Sequence, residues 1–213
     1  MASTAISAQG STLQIGTGSG SAKSISGVAE SYPTILTSAA HGLANGNVVA
    51  IAGLTGADAA LLNGLSFVVT NVTTNTFAVK VDTTGKTVTA GGGTATPTTY
   101  TNISNVKTFT GFDGSASELD KTNLQSTAKE FMLGLVDPGH FTITFDNDQN
   151  DAGQSSLRTA QVAGSAQNFK LSLPSGNTAS FVGYVKTFTT DGGVDKVVGA
   201  QSQIRISGAV TWS

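Results

Sequence analysis

The chain has 213 residues, 38% of them hydrophobic and only 11% charged, with 11 Lys and Arg against 13 Asp and Glu for a net charge of −2. That is enough chain for one or two domains with a core, while the singly scattered basic residues form no stripe able to neutralise phosphates, and the lack of cysteine excludes a disulfide framework or a thiolate metal site. The start, "MASTAISAQGS", has neither the basic opening nor the apolar stretch of a signal peptide, and no apolar run nears the roughly 20 residues that span a bilayer, so a soluble protein maturing in a cytoplasm, with no membrane partner, is expected.

Charge lies far below the roughly 25% of a typical soluble domain; Ser, Thr, Asn and Gln supply the polarity instead. Such a surface suits a subunit that its neighbours cover.

In chain order, the Gly- and Ser-rich "GTGSGSAKS" reads as a linker into residues 25–98. That stretch packs short strands between turns at Gly42, Asn45–Gly46, Gly64 and Asn75, with Phe77, Val79 and Val81 on one face of its last clear strand. "TAGGGTATPTT" closes it. The expected organisation is a main domain from residues 1–24 and 99–213, with 25–98 as a small inserted β-domain. Such an insertion is cheap, because doubling a loop costs only about 0.6 kcal/mol.

The pentapeptide VKTFT occurs at 106–110 and again at 185–189. The flanks differ ("TNIS" before one, "FVGY" before the other), which argues against a duplication. Two strands sharing edge chemistry are expected. Between Phe112 and Gly139 alternation fails, yet the stretch carries Leu119, Leu124, Phe131, Met132, Leu133 and Leu135. So many large apolar groups on a free loop would be a liability in a monomer and call for a covering surface. Within it, "TAKEFMLG" offers a capping box in Thr127 and Glu130 and a stop at Gly134, the pattern of a short helix, with a loop as the alternative.

"FTITF" (141–145) and "FKLSL" (169–173) alternate strictly. Phe141, Ile143 and Phe145, then Phe169, Leu171 and Leu173, share single faces, and Thr142, Thr144, Lys170 and Ser172 point the other way. "LPSGNTA" is a turn built on Pro174, Gly176 and Asn177, and "QIRIS" (203–207) alternates around Ile204 and Ile206. "DAGQSSLRTAQVAGSAQ" reads as a helix, with Asp151 as N-cap, Gln154 three residues on, and Leu157, Ala160 and Ala163 at near-helical spacing.

Motifs for chemistry fail on inspection. "TTGKTVT" lacks the first glycine of a phosphate-binding loop, where Lys80 stands, and "GTGSGSA" has Ser21 at the third dinucleotide glycine. "DNDQNDAGQSSL" resembles a calcium loop through Asp146, Asp148 and Asn150, but has Asp151 at position six and Leu157 at position twelve, so a polar turn into a capped helix explains it better. His41 and His140 have no ligand partners at suitable spacing, and no nucleophile elbow exists. No enzymatic activity, cofactor or metal is expected.

The ordered set "AQGSTLQIG", "ISNVKTF", "TNLQSTAKEFMLGLVDPG", "DAGQSSLRTAQVAG", "FKLSLPSG", "ASFVGYVKTF" and "QIRISGAV" resembles the major tail tube protein of long, non-contractile-tailed (siphovirus-type) phages. The insert resembles the small "AHGLxxGxxVxI" β-module of phage structural proteins; that module's usual name invokes a catalytic cysteine, which this chain lacks. The resemblance implies a mainly β fold, an antiparallel β-sandwich flanked by one α-helix. It implies self-assembly into stacked hexameric rings, with the inner sheets joined into one barrel around a lumen. It further implies a tape-measure protein in the lumen during assembly, tail terminator and distal tail partners, passage of DNA, residence in the virion tail and assembly in the host cytoplasm. Phe112, Leu119, Leu124, Phe131, Met132 and Leu135 would then form the contact between subunits or rings. Thr142, Thr144, Ser172 and Gln203 would be lumen-facing polar positions, which suits a conduit that must not grip phosphates. Two other readings compete. A carbohydrate-binding β-sandwich would want clustered aromatics, against one Trp and three Tyr here; a bacterial secretion-type or contractile tube would share the architecture.

Overall fold

The structure is a computed structural model that describes residue 5 and residues 7–212. Its strands are β1 (Thr12–Ser19), β2 (Lys23–Ser24), β3 (Gly27–Ala29), β4 (Thr34–Thr37), β5 (Val48–Ala52), β6 (Ser66–Thr70), β7 (Thr76–Val79), β8 (Thr94–Ile103), β9 (Val106–Gly111), β10 (Ala116–Asp120), β11 (Phe131–Val136), β12 (His140–Asp146), β13 (Ala166–Ser172), β14 (Thr178–Asp191) and β15 (Gly199–Trp212). One α-helix, α1 (Ala152–Ala163), separates β12 from β13. The mainly β, antiparallel, sandwich-type fold with a single α-helix agrees with the sequence reading. The chain divides into two compact units: the described residues to 102 with 168–180 and those from 211, and residues 103–167 with 181–210.

In the first unit the strand order is β3-β4-β7-β6-β5-β8-β1-β13, with β2 also on β8. Alternation does here what period-2 patterning requires: Leu13 lies opposite Leu171 and Ile15 opposite Phe169, all buried. Leu173 falls in the turn after β13, where its N–H donates to the Asn177 carbonyl at 2.9 Å. A hydrophobic cluster that includes Leu36, Ile51, Leu62, Val69 and Phe77 draws all its buried members from between Ile25 and Ala95. His41 is buried in the same unit, its Nδ1 accepting the Leu43 N–H at 3.0 Å and its ring edge-on to Phe77 at 5.3 Å.

In the second unit β12 lies between β9 and β15, and β10 and β11 form a sheet of their own. Phe141, Ile143 and Phe145 of β12 are buried, as their spacing demands. The two VKTFT copies each place a phenylalanine against this strand: Phe109 stacks on Phe141 at 6.1 Å and Phe188 meets Phe145 at 5.6 Å. The first copy lies on β9, at the end of the strand order, and the second on β14, next to β15. What the copies share is an aromatic that packs on β12.

Helix α1 begins and ends where its residues say it should. The Asp151 carboxylate accepts the Gln154 N–H at 2.8 Å, and Gly164 closes the helix in the left-handed conformation at φ 59°. The capping box is only half formed. Instead of reaching back to Asp151, the buried Gln154 side chain donates to the Ser104 and Asp146 carbonyls and accepts the Asp148 N–H. It thereby satisfies the backbone of the stretch that resembles a calcium loop. Burial raises the Asp151 carboxyl, but hydrogen bonds from Ser104, Gln154 and Gly153 outweigh it and hold the group below its ordinary value. A depressed folded value stabilises above the unfolded one, so the cap's contribution is present at neutral pH and fades as pH falls below about 4. Asp151→Ala is expected to cost about 1 kcal/mol at pH 7, read as a lower Tm, and less at pH 3.

Candidate functional site

The stretch from 112 to 139, which lacks alternation, is a hairpin arm. Strands β10 and β11 pair antiparallel, with Leu119 opposite Met132 and Asp120 opposite Phe131, and a bulge between Ala116 and Glu118. The short helix expected over "TAKEFMLG" does not form. Thr127 caps nothing there: the Glu130 N–H donates to Thr122 Oγ1 at 3.0 Å and the Glu130 carboxylate lies 3.8 Å from Lys121 Nζ, which close the hairpin end instead. Gly134 does not terminate a helix. It lies where a Cβ would come within 2.4 Å of Ser117 Oγ across the hairpin.

The base of the arm is tightly held within its unit. Phe112 adopts φ 60°, a left-handed conformation rare for an aromatic residue, and turns the chain out of β9 while its N–H donates to the His140 carbonyl. Its ring packs 5.2 Å from Phe141 and 5.5 Å from Phe181. The Asp113 carboxylate accepts the His140 N–H at 2.6 Å; the Asp137 carboxylate accepts the Gly139 N–H at 2.9 Å and an Arg205 guanidinium N–H at 2.6 Å. The backbone N–H of His140 holds Asp113 below the usual carboxylate range, and that of Gly139, then Arg205, does the same for Asp137. The two chain segments approach so closely that a Cβ on Gly114 would sit 1.8 Å from the Asp137 carbonyl and one on Gly139 2.2 Å from Asp113. Only glycine fits at either position.

Beyond this base the arm is apolar and uncovered. Phe131 is 50% exposed, Leu135 93%, and Leu119, Leu124, Met132, Leu133 and Val136 are exposed as well. The structure thus separates the sequence-derived contact set: Leu119, Leu124, Phe131, Met132 and Leu135 lie on the arm, and Phe112 is a half-buried anchor at its base. An apolar strand pair open on both faces is a surface built for association.

The polar candidates divide too. Thr142 lies opposite Gln203 and Thr110, and Thr144 opposite Gln201 and Thr108, so one face of the β9-β12-β15 ladder carries a row of uncharged polar side chains. Thr108 and Thr144 join through their hydroxyls. Ser172 belongs to the first unit, opposite Thr12. Sequence reasoning named Thr142, Thr144 and Gln203 but missed Thr108, Thr110 and Gln201; the alternation of "VKTFTG" was the available signal. His140 and Arg205 end the row, also opposite one another. Among the described residues no group of three or more His, Cys, Asp or Glu is placed to hold a metal ion, and no helix is long and apolar enough to cross a membrane.

Residues 74–179 match the family model of the lambda-like phage tail tube protein. No curated protein matches the chain in sequence. Among solved structures, a chain in the virion of a native gene transfer agent particle is similar at a TM-score of 0.47 and 14% identity, covering 54% of this chain and 88% of that one. A chain in the six-fold symmetrised baseplate of the anti-feeding prophage is similar at 0.43 and 9% identity, covering 54% and 84%. The family match runs through the arm, its base, β12 and α1. Over residues 74–179, just under half of its length, the chain is similar to the phage tail tube family, a family of structural proteins.

Proposed function

We propose that the protein forms stacked hexameric rings in the tail tube of a siphovirus-type phage, the conduit for DNA ejection. The observation that carries this reading is the uncovered apolar arm on a chain similar to the tail tube family: Leu119, Phe131, Met132, Leu133 and Leu135 need a partner, and a second copy of the chain supplies one. The uncharged row through Thr108, Thr142, Thr144 and Gln203 fits a lumen wall that does not grip phosphates, and Arg205 at the end of the row is paired with Asp137. Ser172 is assigned to the same lining on the resemblance alone. In this reading the tape-measure protein fills the lumen during assembly in the host cytoplasm, and tail terminator and distal tail proteins close the two ends.

Residues 25–98 are proposed as a separate domain on the tube exterior, inserted into a main domain of 1–24 and 99–213. Support comes from the hydrophobic cluster confined between Ile25 and Ala95. Negative-stain microscopy of the purified protein tests both proposals. Rings or tubes are expected, and a deletion of 25–98 with rejoined flanks should give tubes of the same bore. A protein that stays monomeric at high concentration would sink the tube reading, and loss of all folding on deletion would make 25–98 part of the main core.

A further inference from the structure

The second unit carries another uncovered apolar feature, away from the arm. In the loop that joins β14 to β15, Val194 is 94% exposed and Val197 70%, and Val198 is also exposed. The register of β12 fixes where this loop lies. The arm leaves the ladder at the His140 end, where Phe141 lies opposite Gly111 and His140 opposite Arg205. The valine loop lies at the other end, where Asp146 is opposite Gly199 and the Asn147 N–H donates to the Val198 carbonyl at 2.8 Å. Seven residues of strand separate the two ends, about 20 Å at 3.4 Å per residue.

The arm tip, residues 121–130, carries Lys121, Lys129 and Glu130, with Asp120 beside it, and the loop, residues 192–198, carries Asp195 and Lys196. Lys121 is near Glu130 and Lys196 is 3.9 Å from Asp191, which leaves Lys129 in one segment and Asp195 in the other as charges of opposite sign without an ion pair among the described residues.

We infer that the β14–β15 loop is the acceptor for the arm of a second copy of this chain, with Leu124 seated against Val194 and Val197 and Lys129 facing Asp195. The inference rests on the tube reading and specifies its longitudinal contact. An interface between two different patches at opposite ends of one unit is heterologous; it does not close on itself and propagates as a stack. Two like patches meeting would instead make a closed pair and stop.

Two experiments test it. Lys129→Glu and Asp195→Lys should each raise the protein concentration needed for tube formation by about tenfold or more, as like charges then meet, and the double variant should restore it towards wild type. Both residues are exposed, so circular dichroism and Tm should stay unchanged. Single variants that assemble normally, or a double variant no better than either single, would overturn the pairing. The chain has no cysteine, so a mixture of a Leu124→Cys chain and a Val194→Cys chain, oxidised, reports the contact by itself. A cross-linked dimer of the two unlike chains is expected, and its absence overturns the inference. This readout needs only contact between copies, so it separates a wrong acceptor from a wrong tube reading, which microscopy of the wild type decides.

Discussion

Replacing Phe131 and Leu135 together by Ser is expected to leave a folded subunit that no longer polymerises. Both side chains lie on β11, beyond the anchored base, and are 50% and 93% exposed, so neither contributes much to the core of its own unit. Exposed substitutions of this kind change stability by about 0.5 kcal/mol or less. In an assembled contact each buried Phe or Leu gives about 1.5 to 3 kcal/mol. Losing two therefore weakens every repeat of the contact by roughly a hundredfold or more. Sedimentation should show a monomer with a wild-type circular dichroism spectrum at concentrations where the parent forms tubes. A double variant that assembles normally would refute the contact, and one that unfolds would place these residues in a core.

Phe141→Ala should have the opposite signature. Phe141 is fully buried in β12 and packs against Phe109, Phe112 and Phe181. Removing it leaves a cavity among three aromatic rings and is expected to cost about 3 to 5 kcal/mol, a large share of the 5 to 15 kcal/mol of a typical domain. It also removes the surface on which Phe112 holds the base of the arm, so the arm should lose its fixed direction as the unit destabilises. Chemical denaturation would show the loss as an earlier midpoint, and tubes would fail because subunits unfold. An unchanged midpoint would mean that the three other rings hold the base without it.

The arm was legible in the sequence as composition and not as conformation. Its large apolar residues stand out in a chain poor in charge, but strands declare themselves through one buried face, and the arm has none. With both faces of β10 and β11 uncovered, no period-2 pattern is required of "ASELD" or "FMLGLV". Local capping signals in "TAKEFMLG" then suggested a helix. Cross-strand pairing overrode them, because Thr122 and Lys121 take the groups of Glu130 that a helical capping box would use.

Elsewhere local chemistry sufficed. Phe141, Ile143 and Phe145 had to face one core because a strand alternates. Asp151 and Gly164 had to bound a helix because one accepts an orphan N–H and the other tolerates φ 59°. The sequence by itself thus determined the β class and the helix with its ends. Only the tertiary structure decided that Thr142 stands beside Thr110 and Gln203, that Gln154 binds the backbone of Ser104, and that the arm and the valine loop lie at opposite ends of one ladder. Those relations join residues tens of positions apart, and strand register, which no local pattern encodes, sets them.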